Sequence, residues 1–211
     1  MRLHYLPTTA AMAPHAALAE AGAEYELVLV ERDAEGRSSA EYLKVNPFGR
    51  VPAIEDDGLV LTEAAAVVLH IGDRFPESGL LPPVGTAERS QVYRYLVYLT
   101  NTVQAGHMRF FYPDRYTADP AGEAGIVARE AETLGEHFDW LDSELEGRRW
   151  LVGDTRTVAD LYLFMLTRWG RRLDPPAWDR PNLRRHFLAT AELPGVRRML
   201  DEQGLDLPEF A

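Results

Sequence analysis

The sequence predicts two parts: an α/β domain at the N-terminus and an all-α helical bundle at the C-terminus. Three observations predict this. Over the first eighty residues, short β-branched runs alternate with stretches that suit helices. A segment rich in Pro and Gly, PESGLLPPVG at 76–85, then interrupts the pattern. Beyond it, only helical periodicity recurs.

Each element has its own justification. Residues 3–6 form a short apolar run suited to a strand, and the Ala-rich stretch 10–21 reads as a helix stopped by Glu20-Ala21-Gly22. YELVLV at 25–30 alternates and is rich in β-branched residues, the mark of a strand. Ser39 can cap a short helix over 39–45, ended by Asn46-Pro47. Residues 51–54 and 59–62 flank Asp56-Asp57-Gly58, which predicts a hairpin. A helix over 63–74 stops near Pro76. The order β-α-β-α-β-β-α is that of a thioredoxin-like domain, assigned to 1–77, with a linker at 78–86 and a helical domain at 87–211. In that second domain Val92, Leu96, Leu99 and Val103 mark the buried face of one long helix, and Leu134, Phe138, Leu141 and Leu145 that of another. Pro113, Pro120, Pro175-Pro176 and Pro194 punctuate the remainder.

Composition narrows the function. The chain has 211 residues and formal net charge −11, which argues against a binder of nucleic-acid backbones. The Arg doublets read as solvated helix faces, since no aromatic ladder interleaves with them. No apolar run reaches the ~20 residues of a membrane span, and MRLHYLP enters strand-like sequence with no sign of a signal peptide, so a cytoplasmic protein is expected. With no cysteine, protein disulfides, thiolate zinc sites and protein-thiol catalysis are excluded. The six histidines show no metal-binding spacing, so no metal is expected.

The opening MRLHYLPTTAAMAPHAALAEAG, the segment NPFGRVPAI at 46–54, and Leu61-Thr62-Glu63 before a helix together resemble the cytosolic glutathione transferases, closest to the bacterial beta class. The likeness runs from residue 1 to about 200, with the linker LLPP in place. It implies glutathione as co-substrate and a homodimer. It also implies a reaction in which the glutathione thiolate adds to a small hydrophobic electrophile in detoxification. Glutathione-dependent peroxide or disulfide reduction, isomerisation, and a non-catalytic binding or dimerisation module are the alternatives.

The residues carry this chemistry as follows. Pro52 lies inside an apolar run, where proline cannot donate to a ladder; it sits either on an edge strand or after a cis bond. The cis form would turn the Val51 N–H and C=O outward to pair with an extended peptide. Glu63 and Ala64 begin a helix whose unsatisfied N–H groups favour a carboxylate, while the Glu63 side chain can take an ammonium. Simple helix stabilisation by an acidic residue is the alternative. The family commonly places a serine where Ala64 stands. Arg37 lies in a loop where related enzymes place a cation for the glycyl carboxylate; solubility alone would also account for it.

The beta-class cysteine position is filled by Ala10, followed by Ala11, so a mixed disulfide with the protein is excluded. Tyr5, Thr8 and Thr9 are the hydroxyls left to stabilise a thiolate. Thr8-Thr9 falls where zeta-class sequences have Ser-Ser, although either threonine can equally cap the first helix. Lowering the thiol pKa from about 8.5 to about 6.5 raises the thiolate fraction about 25-fold, of which the weaker nucleophile loses roughly 8-fold. Activation is therefore worth only several-fold, and positioning supplies the rest. His107, Phe110, Phe111, Tyr116 and Trp169 are candidates for the hydrophobic pocket, with core packing the alternative for the aromatics. The beta-class His-Lys pair aligns with Gln104 and Ala105. Thr157 and Asp160 form a reciprocal capping pair assigned to stability.

Overall fold

The computed structural model describes residues 1–207. The chain divides into two compact units: Met1–Leu81 together with the chain from Glu192 onward, and Pro82–Ala191.

The first unit holds a four-stranded sheet, β1 (Arg2–Tyr5), β2 (Glu26–Leu29), β3 (Ala53–Asp56) and β4 (Leu59–Thr62), in the order β2-β1-β3-β4. β1 runs parallel to β2 and antiparallel to β3, as the intervening helix α1 (Met12–Glu20) demands. The β3–β4 hairpin closes at Asp57 and Gly58, both with positive φ (47° and 85°), the backbone a tight two-residue turn requires. Helices α2 (Ala40–Val45) and α3 (Ala64–Arg74) complete the expected order. Leu3 and Ile54 pack at 0% exposure, as do Ala17 and Leu18 of α1 and Val67, Val68 and Ile71 of α3. Val30, Tyr42 and Ala53 form a further buried cluster with Leu6, Val45 and Val51 against it.

The second unit contains α4 (Ala87–Tyr98), α5 (Ala105–Phe111), α6 (Glu123–Glu144), α7 (Val158–Trp169) and α8 (Pro181–Ala191). Val92, Leu96, Leu99 and Val103 are buried as their spacing predicts, but a π-helical segment, Leu99–Gln104, separates α4 from α5. Within it the Thr100 hydroxyl donates to the Leu96 carbonyl at 2.8 Å, a back-bond that competes with the regular ladder. α7 is buried along its whole length, which makes it the centre of this unit.

One boundary differs from the expected 87–211 domain. Helix α9 (Pro194–Gln203) packs on α1 and belongs with the first unit. The approach is close: Glu20 accepts the Gly195 N–H at 2.5 Å, and a Cβ at Gly195 would lie 2.3 Å from the Glu20 backbone nitrogen. Apolar spacing marks a buried face on a helix but does not say which neighbour covers it.

Candidate functional site

Strand register gathers three segments at one end of the first unit's sheet. His4 pairs with Ala53, so the turn after Tyr5 emerges beside Pro52; Ala53 pairs with Thr62, so Pro52 lies next to Glu63.

The first segment precedes β3. The Val51–Pro52 bond is cis, and β3 begins only at Ala53. Among the described residues, neither the N–H nor the C=O of Val51 bonds another backbone group. The loop leading here is tightly held. The Arg50 carbonyl accepts Tyr42 Oη and Asn46 Nδ2, each at 2.6 Å, while Ser38 Oγ donates to the Gly49 carbonyl at 2.7 Å. Burial pushes the Tyr42 hydroxyl up to about 12, so it stays a donor at every physiological pH.

The second segment is the β4–α3 junction. Glu63 adopts φ 65°, ψ 109°, a region that L-residues occupy at a cost, and its exposed side chain makes no capping bond. The first-turn N–H groups of α3 thus have no side-chain acceptor, and the helix dipole points the same way. Ala64, directly beyond, is buried.

The third segment is the β1–α1 turn, which holds the candidate hydroxyls. Thr9 Oγ1 donates to the Leu6 carbonyl at 2.6 Å and accepts the Ala11 N–H at 3.4 Å, so its one proton is committed to the turn. Thr8 is exposed with φ 64°. The N-cap of α1 is Ala11, without a side-chain cap, rather than either threonine. Tyr5 is half-buried at the end of β1, with its ring edge-on to His15 of α1. Among the described residues its hydroxyl has no hydrogen-bond partner.

Arg37 is not presented to this end of the sheet as an available cation. Its Nε meets Asp33 at 2.7 Å and its Nη2 meets Glu35 at 3.0 Å, with 74% of the side chain exposed. Asp33, held below its ordinary range by hydrogen bonds from Arg37, is its partner within the same turn. Arg50, next to Val51, is a second cation near this end of the sheet. It is exposed, and among the described residues its guanidinium has no partner.

The pocket candidates lie in the second unit. His107 is a core residue at 0% exposure: Nδ1 donates to the Val103 carbonyl at 2.9 Å, and the rings of Phe111, Phe138 and Trp169 surround it at 5.5–5.8 Å. Burial lowers its pKa to about 4, and Nε2 has no partner. A general base needs access to its substrate, so this histidine has no such role. Trp169 is also core, Phe110 and Phe111 are partly buried, and Tyr116 is 50% exposed. Gln104 accepts the Tyr162 hydroxyl in a short bond. Asp160, fully buried, accepts the N–H and hydroxyl of Thr157, the Leu151 N–H and His186 Nε2, which makes it a structural anchor. Among the described residues, no group of three or more His, Asp or Glu is arranged to hold a metal, and no helix is long and apolar enough to cross a membrane.

Residues 2–73 match the family model for the glutathione S-transferase N-terminal domain, and residues 99–194 that for the C-terminal domain. Glutathione S-transferase GstA of Escherichia coli O157:H7 is 30% identical over 207 residues, covering 97% of this chain and 100% of the relative. A solved sphingomonad glutathione S-transferase complexed with glutathione is 33% identical with a TM-score of 0.83, covering 98% of this chain and 100% of that one. A bacterial beta-class glutathione S-transferase from Sphingomonas chungbukensis is 30% identical with a TM-score of 0.85, covering 98% and 100%.

Proposed function

This chain belongs to the glutathione S-transferase family, and from that premise we propose that it binds glutathione at the end of its N-terminal sheet and adds the thiolate to a small hydrophobic electrophile. One observation carries the reading: a peptide-pairing edge and an uncapped helix start lie side by side. The unengaged Val51 N–H and C=O match the cysteinyl unit of an extended tripeptide. The first-turn N–H groups of α3 match the γ-glutamyl carboxylate, and the Glu63 carboxylate matches its ammonium.

Arg50 is the residue we assign to the glycyl carboxylate, since the Arg37 guanidinium already meets two carboxylates. Of the candidate hydroxyls, Tyr5 is the one we assign to the sulfur, because Thr9 donates elsewhere and Thr8 is exposed. A phenol hydrogen bond stabilises the thiolate over the thiol, while the backbone contacts orient it. A cytoplasmic homodimer is part of the proposal. Phe48 at 84% exposure is a large apolar side chain that a second copy would cover, which sedimentation equilibrium tests.

Calorimetric titration with glutathione is the primary test. Saturable binding that weakens about 10-fold in Arg50→Ala and is unchanged in Arg37→Ala is expected. No heat of binding at 10-millimolar-order ligand would overturn the assignment of the site. Turnover of aryl halides, assayed alongside, is expected to fall about 5- to 10-fold in Tyr5→Phe with the glutathione KM retained.

A further inference from the structure

His15 lies on the first turn of α1, its N–H bonded to the Ala11 carbonyl at 3.0 Å. Its side chain is fully buried, and its hydrogen bonds leave its own helix. Nδ1 is 3.0 Å from Gln203 Nε2, and Nε2 is 2.7 Å from Glu202 Oε2 and 3.3 Å from Tyr25 Oη. The amide of Gln203 donates, so Nδ1 is an acceptor; the ring proton sits on Nε2 and goes to Glu202. The same carboxylate oxygen accepts Tyr25 Oη at 2.9 Å, and Arg198 Nε meets the other oxygen at 2.7 Å. Burial works against charge on Glu202, yet the hydrogen bonds from Arg198, His15 and Tyr25 hold its carboxyl below the ordinary range. Burial likewise lowers the His15 imidazole and favours its neutral form, against the pull of Glu202.

So many fixed contacts on one buried ring do more than dock α9. The His15 ring stands edge-on to Tyr25 at 5.4 Å and to Tyr5 at 6.3 Å, with a 63° angle between the His15 and Tyr5 planes. Because the Tyr5 hydroxyl has no hydrogen-bond partner among the described residues, packing against its ring sets its direction. We propose that His15 is a positioning residue for Tyr5, and that Glu202 and Gln203 of α9 hold it in that role. The last helix of the chain thereby sets the aim of the hydroxyl at the start of the chain. This inference rests on the assignment of Tyr5 to the glutathione sulfur.

The test is a double-mutant cycle on steady-state turnover, with glutathione and an aryl halide as substrates. Gln203→Met removes the amide donor to Nδ1 while leaving the Glu202 side intact. Glu202→Gln keeps an acceptor for Nε2 and removes the charge. In the Tyr5 background, each is expected to lower kcat about 3- to 5-fold at pH 6.5 and move the apparent thiol pKa up by about half a unit. The glutathione KM should stay within about 2-fold. In the Tyr5→Phe background the same substitutions should change kcat by less than about 1.5-fold. Equal losses in both backgrounds would overturn the proposal, since His15 would then act through the fold and not through Tyr5. Wild-type kcat and pH profile in both α9 variants, with activity lost in Tyr5→Phe, would overturn it while leaving the role of Tyr5 intact. If Tyr5→Phe itself turned over like wild type, both the assignment and the proposal would fall.

Discussion

Replacing His107 by phenylalanine should remove a large part of the protein's acid sensitivity. In the folded chain its imidazole is fully buried among three aromatic rings, and burial brings its pKa down to about 4 from an ordinary 6.5. Both unfolded and folded chains carry it neutral above pH 7, so it adds no pH dependence there. As pH falls through 6.5 the unfolded chain takes up a proton that the folded one refuses, and stability declines. The gap between the two values corresponds to roughly 3 kcal/mol once pH is below both. At pH 5, where the folded group is still mostly neutral, the loss is about 2 kcal/mol. Phenylalanine fills a similar space beside Phe111, Phe138 and Trp169 and has nothing to protonate. Its cost is the Val103 carbonyl, which loses the Nδ1 donor, offset by removal of the unpartnered Nε2. The assay is urea unfolding followed by tryptophan fluorescence from pH 7.5 to 5.0. His15 and His137 are also lowered by burial and titrate in both proteins, so the difference between the two curves isolates position 107. Wild type should lose about 2 kcal/mol more than His107→Phe over that interval; parallel curves would refute the account of this histidine as a neutral core residue.

Three further outcomes follow from packing and backbone geometry. Gly195→Ala places a Cβ 2.3 Å from the Glu20 nitrogen and 2.8 Å from the Ala19 carbonyl carbon, neither of which can yield, so α9 should come away from α1. A loss of about 3 kcal/mol, seen as a fall in Tm of about 6–12 °C, is expected, with early proteolysis after residue 191. Asp160→Ala leaves four buried donors without an acceptor and should cost about 3–5 kcal/mol in urea unfolding, against about 0.5–2 for Thr157→Ala. The glutathione KM of whatever remains folded should be unchanged. Glu63→Gly should relieve the positive-φ backbone and stabilise the fold by about 0.5–1 kcal/mol, while calorimetry shows glutathione affinity falling 10-fold or more.

Local chemistry made much of the fold legible. The Asp57-Gly58 turn, the cis bond before Pro52, the capping pair at Thr157 and Asp160, and the buried faces of α4 and α6 each follow from residues within one or two turns of one another. What escaped was long-range or competitive. The π-helical segment at Leu99–Gln104 has no periodicity of its own, and the Thr100 back-bond is visible only once the helix exists. The home of α9 depends on Gly195 meeting Glu20 and on His15 meeting Glu202 and Gln203, pairs more than 170 positions apart. Arg37 is the instructive case. Its carboxylate partners, Asp33 and Glu35, stand four and two positions before it, so charge pattern alone pairs it locally.

The same competition bears on the proposed assignment of Tyr5 to the sulfur. Tyr5, Thr8 and Thr9 all lie within five positions, and residue type alone ranks none of them. What separates them is where each proton goes in the folded chain. A hydroxyl has one proton, and Thr9 gives its own to the Leu6 carbonyl at 2.6 Å, a bond that closes the turn on which the site depends. Moving that proton to a sulfur would open the turn, so stability and activation oppose each other at Thr9. At Tyr5 they do not, because the ring is held by packing and the hydroxyl is left over. A fold can reserve a donor for a ligand only where something other than that donor fixes the side chain, and here the wall that fixes it is the His15 ring.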